Sequence, residues 1–273
     1  MKPPSRSPGN RRRATAHAGR HHHRPGELHG PAVLYGFHPV SEALRNPARK
    51  QLRLLATENA FARLKEAGIE PRIAPQLVRP QDIDRLLTPD AVHQGLLLEA
   101  EPLPAPEIEN LPDHALVLVL DQVTDPHNVG AILRTAAAFA VDAVVTTARH
   151  SPAATGVLAK SASGGLEHVP FITVQNLARG LEALRERGVL CVGLDSDAPE
   201  NLEQMALTRP LALVLGAEGK GLRQKTRESC DHTARLDLPG AIKSLNVSNA
   251  AAIALHLSVC ITGGSMRGMR STG

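Results

Sequence analysis

The sequence predicts an α/β protein of two domains, the larger C-terminal one built on a mostly parallel sheet. A small α/β domain and a basic tail precede it. Three observations carry this expectation. From Ala115 onward, short apolar runs alternate with helix-patterned segments, the signature of a mostly parallel sheet. Ahead of that, Glu101-Pro102-Leu103-Pro104-Ala105-Pro106 breaks the pattern with three prolines in five residues, which makes a stiff extended linker. Residues 1–30 are rich in Pro, Gly, Arg and His and nearly free of large apolar side chains, so they are expected to be disordered. The expected division is a tail over 1–30, a small domain over 31–100, a linker over 101–114, the main domain over 115–265 and a short tail over 266–273.

In the small domain, Gln51 to Ala56 and Gly95 to Ala100 read as strands. Glu58 to Ala67 reads as a helix with Phe61 and Leu64 on one face and Gly68 as its stop. In the main domain, Ala115 to Leu120, Ala143 to Thr147, Val189 to Leu194 and Leu211 to Leu215 read as buried strands. Asn176 to Arg187 reads as an amphipathic helix with Leu177, Leu181 and Leu184 on one stripe. The last helix, Asn249 to Ile261, is apolar nearly all round and is expected to be buried, in part against a second subunit.

The net charge of +4 conceals a division. Residues 1–30 carry seven basic side chains against Glu27, so the rest of the chain is slightly acidic at −2. RNA binding by the folded body would therefore use local patches rather than an overall positive field. For the tail three readings stand side by side: a solubilising segment, an arginine-rich grip on phosphates, or a transit peptide, against which its prolines count. The run His21-His22-His23 has no partnering ligands at fixed spacing, and no metal site is expected. The longest apolar run, Ala250 to Ile261, is too short to span a bilayer. No signal peptide is expected. Cys191, Cys230 and Cys260 read as reduced, mostly buried thiols of a cytoplasmic protein. With no Trp, one Tyr and four Phe, an aromatic platform for stacking bases is excluded.

Chemistry is concentrated at three places where an apolar strand gives way to a helix, the position at which open α/β sheets bind ligands. The first is Leu120-Asp121-Gln122-Val123-Thr124-Asp125-Pro126-His127-Asn128-Val129-Gly130-Ala131-Ile132-Leu133-Arg134. Asn128 is placed as the helix N-cap, with Val129, Ile132, Leu133, Ala136 and Ala140 as the core stripe. At about 100° per residue, Arg134 then falls about 140° from the stripe's centre and points away from the core. The second is Leu215-Gly216-Ala217-Glu218-Gly219-Lys220-Gly221-Leu222. It lacks Walker spacing, which counts against a nucleotide hydrolase, and no Gly-x-Gly-x-x-Gly follows a strand anywhere. Its glycines allow close approach of backbone to a ligand. The third runs Leu236-Asp237-Leu238-Pro239-Gly240, ending a strand, into Ser244-Leu245-Asn246-Val247-Ser248. Lys160, Ser161 and Ser163, in a polar stretch between strands, are candidates for RNA contact, with a solvated helix face as the equal alternative.

In order, spacing and identity these segments resemble the three motifs of the SpoU-type RNA 2′-O-methyltransferases of the SPOUT superfamily. The markers Leu34-Tyr35-Gly36-Phe37-His38-Pro39-Val40 and His93-Gln94-Gly95 extend the resemblance to the small substrate-binding domain of the ribosomal-RNA members. The resemblance implies a trefoil-knotted catalytic domain, S-adenosyl-L-methionine as methyl donor and a homodimer. By it, Arg134, Asn128, Glu218, Ser244 and Asn246 are the catalytic candidates. Gly216, Leu236, Leu238 and Leu245 are the cofactor-binding candidates. Asp237 stands where the family more often has proline. The activity implied is 2′-O-methylation of a guanosine ribose in large-subunit (23S) ribosomal RNA, the small domain favouring rRNA over tRNA. A tRNA methyltransferase and a catalytically silent RNA-binding assembly factor are the alternatives. Because arginine is effectively always protonated, Arg134 is expected to act electrostatically, with an arginine deprotonated by its surroundings and acting as the base as the alternative.

Overall fold

A computed structural model describes residues 31–148 and 156–263. The tail readings and the His21–His23 run lie outside the described residues.

The first sheet is formed by β1 (Ala32–Tyr35), β2 (Gln51–Ala56), β3 (Gln76–Leu77) and β4 (Leu96–Ala100) in the order β1-β4-β2-β3. β4 is antiparallel to both β1 and β2, while β2 and β3 run parallel. Helices α1 (Phe37–Arg45), α2 (Glu58–Glu66) and α3 (Pro80–Asp84) complete this unit. Thr57 caps α2 by accepting from the Ala60 amide, and Gly68 follows its end with φ +67°. Leu64 is fully buried and Phe61 packs at the margin of the same core.

The second sheet is wholly parallel, in the order β7-β6-β5-β10-β8-β11-β9. Its strands are β5 (Leu116–Asp121), β6 (Ala143–Thr147), β7 (Phe171–Val174), β8 (Leu190–Leu194), β9 (Glu200–Asn201), β10 (Leu211–Gly216) and β11 (His232–Arg235). Its helices are α4 (Pro126–Ala138), α5 (Gly156–Ala162), α6 (Leu177–Glu186), α7 (Gln224–Glu228) and α8 (Val247–Ile261). Side chains alternate across a strand, so β5 feeds two cores at once. Leu116, Leu118 and Leu120 meet the faces of α4 and α8, whereas Val117 and Val119 meet Leu177, Leu181 and Leu184 of α6. A sheet covered on both faces needs near-continuous apolar strands, which is what β5 and β10 supply.

The four main-domain strands expected from the sequence are present, each within a residue of its expected ends. Several details differ. Asn128 is not the cap of α4: Asp125 is, accepting from the His127 amide, and Pro126 takes the first helical position. Ala140 lies beyond the end of α4, exposed and at φ +50°, because the helix stops at Ala138. The stretch around Lys160 is helical, since Leu158, Ala159 and Ala162 give it a buried face. β11 ends at Arg235, before Leu236. α8 is buried along Val247, Ala251, Ala254, Leu255, Ser258 and Val259 but exposes Ile253, His256 and Cys260. Cys191 is buried, Cys230 half-buried and Cys260 exposed. The segment after the prolines is not a free linker throughout: Ile108 and Leu111 are buried in the α6-side core.

The two units share a seam. Ala159 of α5 belongs to the small unit's own core, and Gly156 lies so close to Tyr35 that a Cβ there would sit 2.3 Å from its ring. Arg49 and Glu167 form a buried two-pronged ion pair at 2.6 and 3.1 Å, and Asn46 donates to the same carboxylate at 2.9 Å. His168 and Glu42 meet at 2.9 Å at its edge.

Candidate active site

β5 is followed in the sheet by β6 on one side, while β8 flanks β10 on the other, so the strand order reverses between β5 and β10. Crevices at the carboxyl ends of such strands are where α/β sheets take ligands. The first two junctions leave from the ends of these two adjacent strands, and the third arrives beside them.

The second junction folds back on its own strand. Gly221 donates to the Ala217 carbonyl at 2.9 Å, and a Cβ on Gly216 would lie 2.1 Å from the Gly221 carbonyl carbon. No other residue fits at 216 without moving backbone. Leu222 then anchors the loop in the α6-side core. Asp121, fully buried at the end of β5, ties this loop to the first junction. It accepts from the Arg223 amide at 3.0 Å and from Arg223 Nε at 2.7 Å. A buried carboxylate requires such pairing. An aspartate closing an otherwise apolar strand was the sequence signal for this tie, whose partner lies 102 residues away.

Three candidate residues from three junctions converge. Glu218 Oε1 accepts from Asn246 Nδ2 at 2.5 Å, from Asn128 Nδ2 at 3.2 Å and from the Val247 amide at 3.3 Å. Asn246 Nδ2 also donates to Asn128 Oδ1 at 2.9 Å. Asn246 Oδ1 faces the other way and caps α8, accepting from the Ser248 amide at 2.9 Å and its hydroxyl at 2.6 Å. Only one orientation of this amide serves both sets of partners. A carboxylate against the first amide of a fifteen-residue helix is also favoured by the helix dipole. Asn128 occupies the third position of α4, so its side chain leaves the first turn toward the loops.

The remaining candidates are placed differently. Arg134 is exposed on α4, two turns beyond its start, and makes no hydrogen bond or ion pair among the described residues. It therefore points away from the core, as the periodicity implied, and stands outside the Asn128–Glu218–Asn246 cluster. Ser244 is exposed and likewise without a hydrogen bond among the described residues. Leu236 packs at the margin of the main core and Leu238 is half-buried, while Leu245 is 36% exposed just before Asn246. Lys243 donates to the Leu238 carbonyl at 2.6 Å, closing the 238–243 loop. Asp237 is not idle: it accepts from Asn201 at 2.5 Å and from Arg235 at 2.8 Å, joining the loop to β9 and β11. An exposed leucine beside a loop whose Gly219 and Gly221 face open space suits a ligand with both an apolar ring and polar edges. S-adenosylmethionine has that character, so the residues present fit it. No group of side chains able to hold a metal occurs among the described residues.

Residues 115–256 match the family model described as SpoU rRNA Methylase, and residues 33–106 match RNA 2′-O ribose methyltransferase substrate binding. The chain belongs to the SpoU rRNA methylase family. Among family members, the 23S rRNA (guanosine-2′-O-)-methyltransferase RlmB of Pseudomonas putida is 37% identical over 83% of this chain and 95% of its own length. The RlmB of Nitrosomonas europaea is 40% identical over 81% of this chain and 88% of its own. Of solved structures, a putative RNA methyltransferase of the TrmH family from Porphyromonas gingivalis superposes with TM-score 0.71 at 25% identity, covering 84% of this chain and 89% of that one. The SpoU methyltransferase AviRb of Streptomyces viridochromogenes, in complex with AdoMet, has the same fold, with TM-score 0.71 at 24% identity over 85% and 90% of the two chains.

Proposed function

We propose that this chain is an S-adenosylmethionine-dependent RNA methyltransferase that methylates the ribose 2′-hydroxyl of a guanosine in 23S ribosomal RNA. One observation carries the reading. The three motif junctions are locked together by Asn128, Glu218 and Asn246 in a chain that aligns with ribosomal-RNA enzymes through both of its units. The sulfonium donor supplies an already activated methyl group. The protein's task is to align donor and acceptor and to raise the nucleophilicity of the hydroxyl.

The Asn128–Glu218–Asn246 network holds the glycine loop against the start of α8 and so sets the shape of the cofactor cradle. Gly216 permits the tight return of the loop, and Leu236, Leu238 and Leu245 supply apolar contact to the adenine. Ser244 lies at the mouth, next to the reacting centre. Arg134 stabilises the charge that develops on the 2′-oxygen and holds the adjoining phosphate. Its separation from the network, together with the exposed Ile253 (41%) and Ile261 (36%) on α8, supports a homodimer in which each subunit completes the other's site. Light scattering at the mass of one chain would end the dimer reading.

No helix among the described residues is long and apolar enough to cross a membrane, and an enzyme of ribosomal RNA would work in the cytoplasm. The deciding experiment offers labelled S-adenosylmethionine with separated rRNA and tRNA from a strain lacking this enzyme. Label in large-subunit rRNA at an alkali-resistant linkage is expected. Label confined to tRNA would overturn the substrate, and no label in either would overturn the activity.

A further inference from the structure

The markers Gly36 and Gln94 of the small unit lie at the seam, where they enclose a lysine of the other unit. Lys160 of α5 reaches across and donates from Nζ to Gln94 Oε1 at 3.3 Å. Gln94 is held for this by the Phe37 amide, which donates to the same oxygen at 2.9 Å, and by its own left-handed backbone at φ +53°. Gly36, at φ +90°, leaves the space: a Cβ there would lie 2.6 Å from Lys160 Nζ. The lysine is thus seated in a slot shaped by the small unit. Partial burial pulls its pKa below the ordinary lysine value. Among the described residues no carboxylate pairs with it. The contrast with its neighbours in the seam is sharp, since Arg49 has Glu167 and Arg45 has Glu42.

The next residue connects this slot to the candidate active site. Ser161 Oγ lies 3.2 Å from His127 Nδ1, and His127 immediately precedes Asn128 in the first turn of α4. The Asp90 carboxyl is held below its ordinary value chiefly by a hydrogen bond with Thr88, and His127 adds to this electrostatically.

We propose that Lys160 is a positioning residue for RNA: seated by Gly36 and Gln94, it takes a phosphate of the substrate strand and registers the small unit's grip on RNA with the Asn128 end of the site. A partly desolvated ammonium whose partner among the described residues is a neutral amide has no anion there, and RNA phosphate supplies one. Phosphate contacts fix register without reading sequence, which is the task required where two units meet. This rests on the reading of the chain as an RNA methyltransferase.

The test uses the full chain with Lys160→Met and Lys160→Arg, measuring RNA affinity across a salt series, methyl-transfer kinetics and S-adenosylmethionine affinity. Lys160→Met is expected to weaken RNA binding about tenfold and to reduce the salt slope by about 0.7, the loss of one single-strand phosphate contact. KM for RNA should rise in step, with kcat and cofactor affinity little changed, and Lys160→Arg should restore most of the binding. An unchanged salt slope in Lys160→Met overturns the proposal, including the case where the melting temperature falls and the lysine proves to be only a domain contact. If the wild-type chain methylates RNA and the variant matches it in KM, this inference alone fails. If the wild-type chain neither binds nor methylates RNA, the functional reading fails with it.

Discussion

The seam between the two sheets and the mouth of the candidate site are both polar networks joining distant segments, yet they are built in opposite ways. At the seam, Arg49 and Glu167, 118 residues apart, are each almost wholly buried and satisfy one another with two bonds. At the mouth, Glu218 and Asn246 are exposed, and Asn128, 90 residues from Glu218, is half-buried. A buried ion pair is costly to break, because the surviving charge stays in a poor solvent. An open network costs little to loosen and leaves its edges available to a ligand. The seam is accordingly suited to holding two units in one register, and the mouth to opening and closing around a cofactor.

Four substitutions test that contrast. Glu167→Gln leaves Arg49 buried beside a neutral group and should lower stability by about 3–5 kcal/mol in urea unfolding. A loss below 1 kcal/mol would mean that water reaches the pair. Arg134→Ala should reduce kcat by about 10²–10³-fold, the scale for losing one donor to a developing oxyanion. Its melting temperature and cofactor affinity should stay near wild type, since the side chain is exposed and makes no hydrogen bond or ion pair among the described residues. Full activity would remove its assigned role. Asn246→Ala removes the α8 cap and should cost about 1 kcal/mol, with a several-fold loss of S-adenosylmethionine affinity by calorimetry. An unchanged affinity would separate the network from the cradle.

The smallest effect is expected at the edge of the seam. Burial raises the pKa of Glu42, but hydrogen bonds from His168 and Arg45 outweigh it and leave the carboxyl below its ordinary value. A carboxyl depressed in the folded state contributes stability that is fully present above its unfolded pKa of about 4.5 and is lost as pH falls further. Glu42→Gln should therefore narrow the stability difference between pH 6 and pH 4, and an identical pH profile would show the contact to be idle.

What could be read in the chain follows the range of the interactions. β5 and β10 were legible because burial on both sides demands an unbroken apolar run, and α6 because Leu177, Leu181 and Leu184 keep helical spacing. β9 was not, and the strand expected to end within Leu236–Gly240 ends earlier, at Arg235: two and four residues long, with Glu200, His232 and Arg235 among them, β9 and β11 are strands because β8 offers β11 an edge and β11 offers β9 the next. The cap of α4 was misplaced by three residues because Asp125 and Asn128 are both good caps, and Pro126 favours the earlier start. The candidate list was legible through motif spacing, which is a local property of sequence. Its division was not. Nothing in spacing says that Asn128, Glu218 and Asn246 bond to one another while Arg134 and Ser244 stand apart.

The amino-acid order alone thus determines the α/β alternation, the break at the prolines, the glycine loop and the identity of the polar residues at each junction. These depend on side-chain period and backbone preference over a few residues. The convergence of three junctions on Glu218, the Asp121–Arg223 tie, the Arg49–Glu167 clasp and the slot that Gly36 and Gln94 make for Lys160 arise only on folding. Each joins groups that local preference leaves independent, and each gains its strength from burial or geometry that exists once the sheets have closed around it.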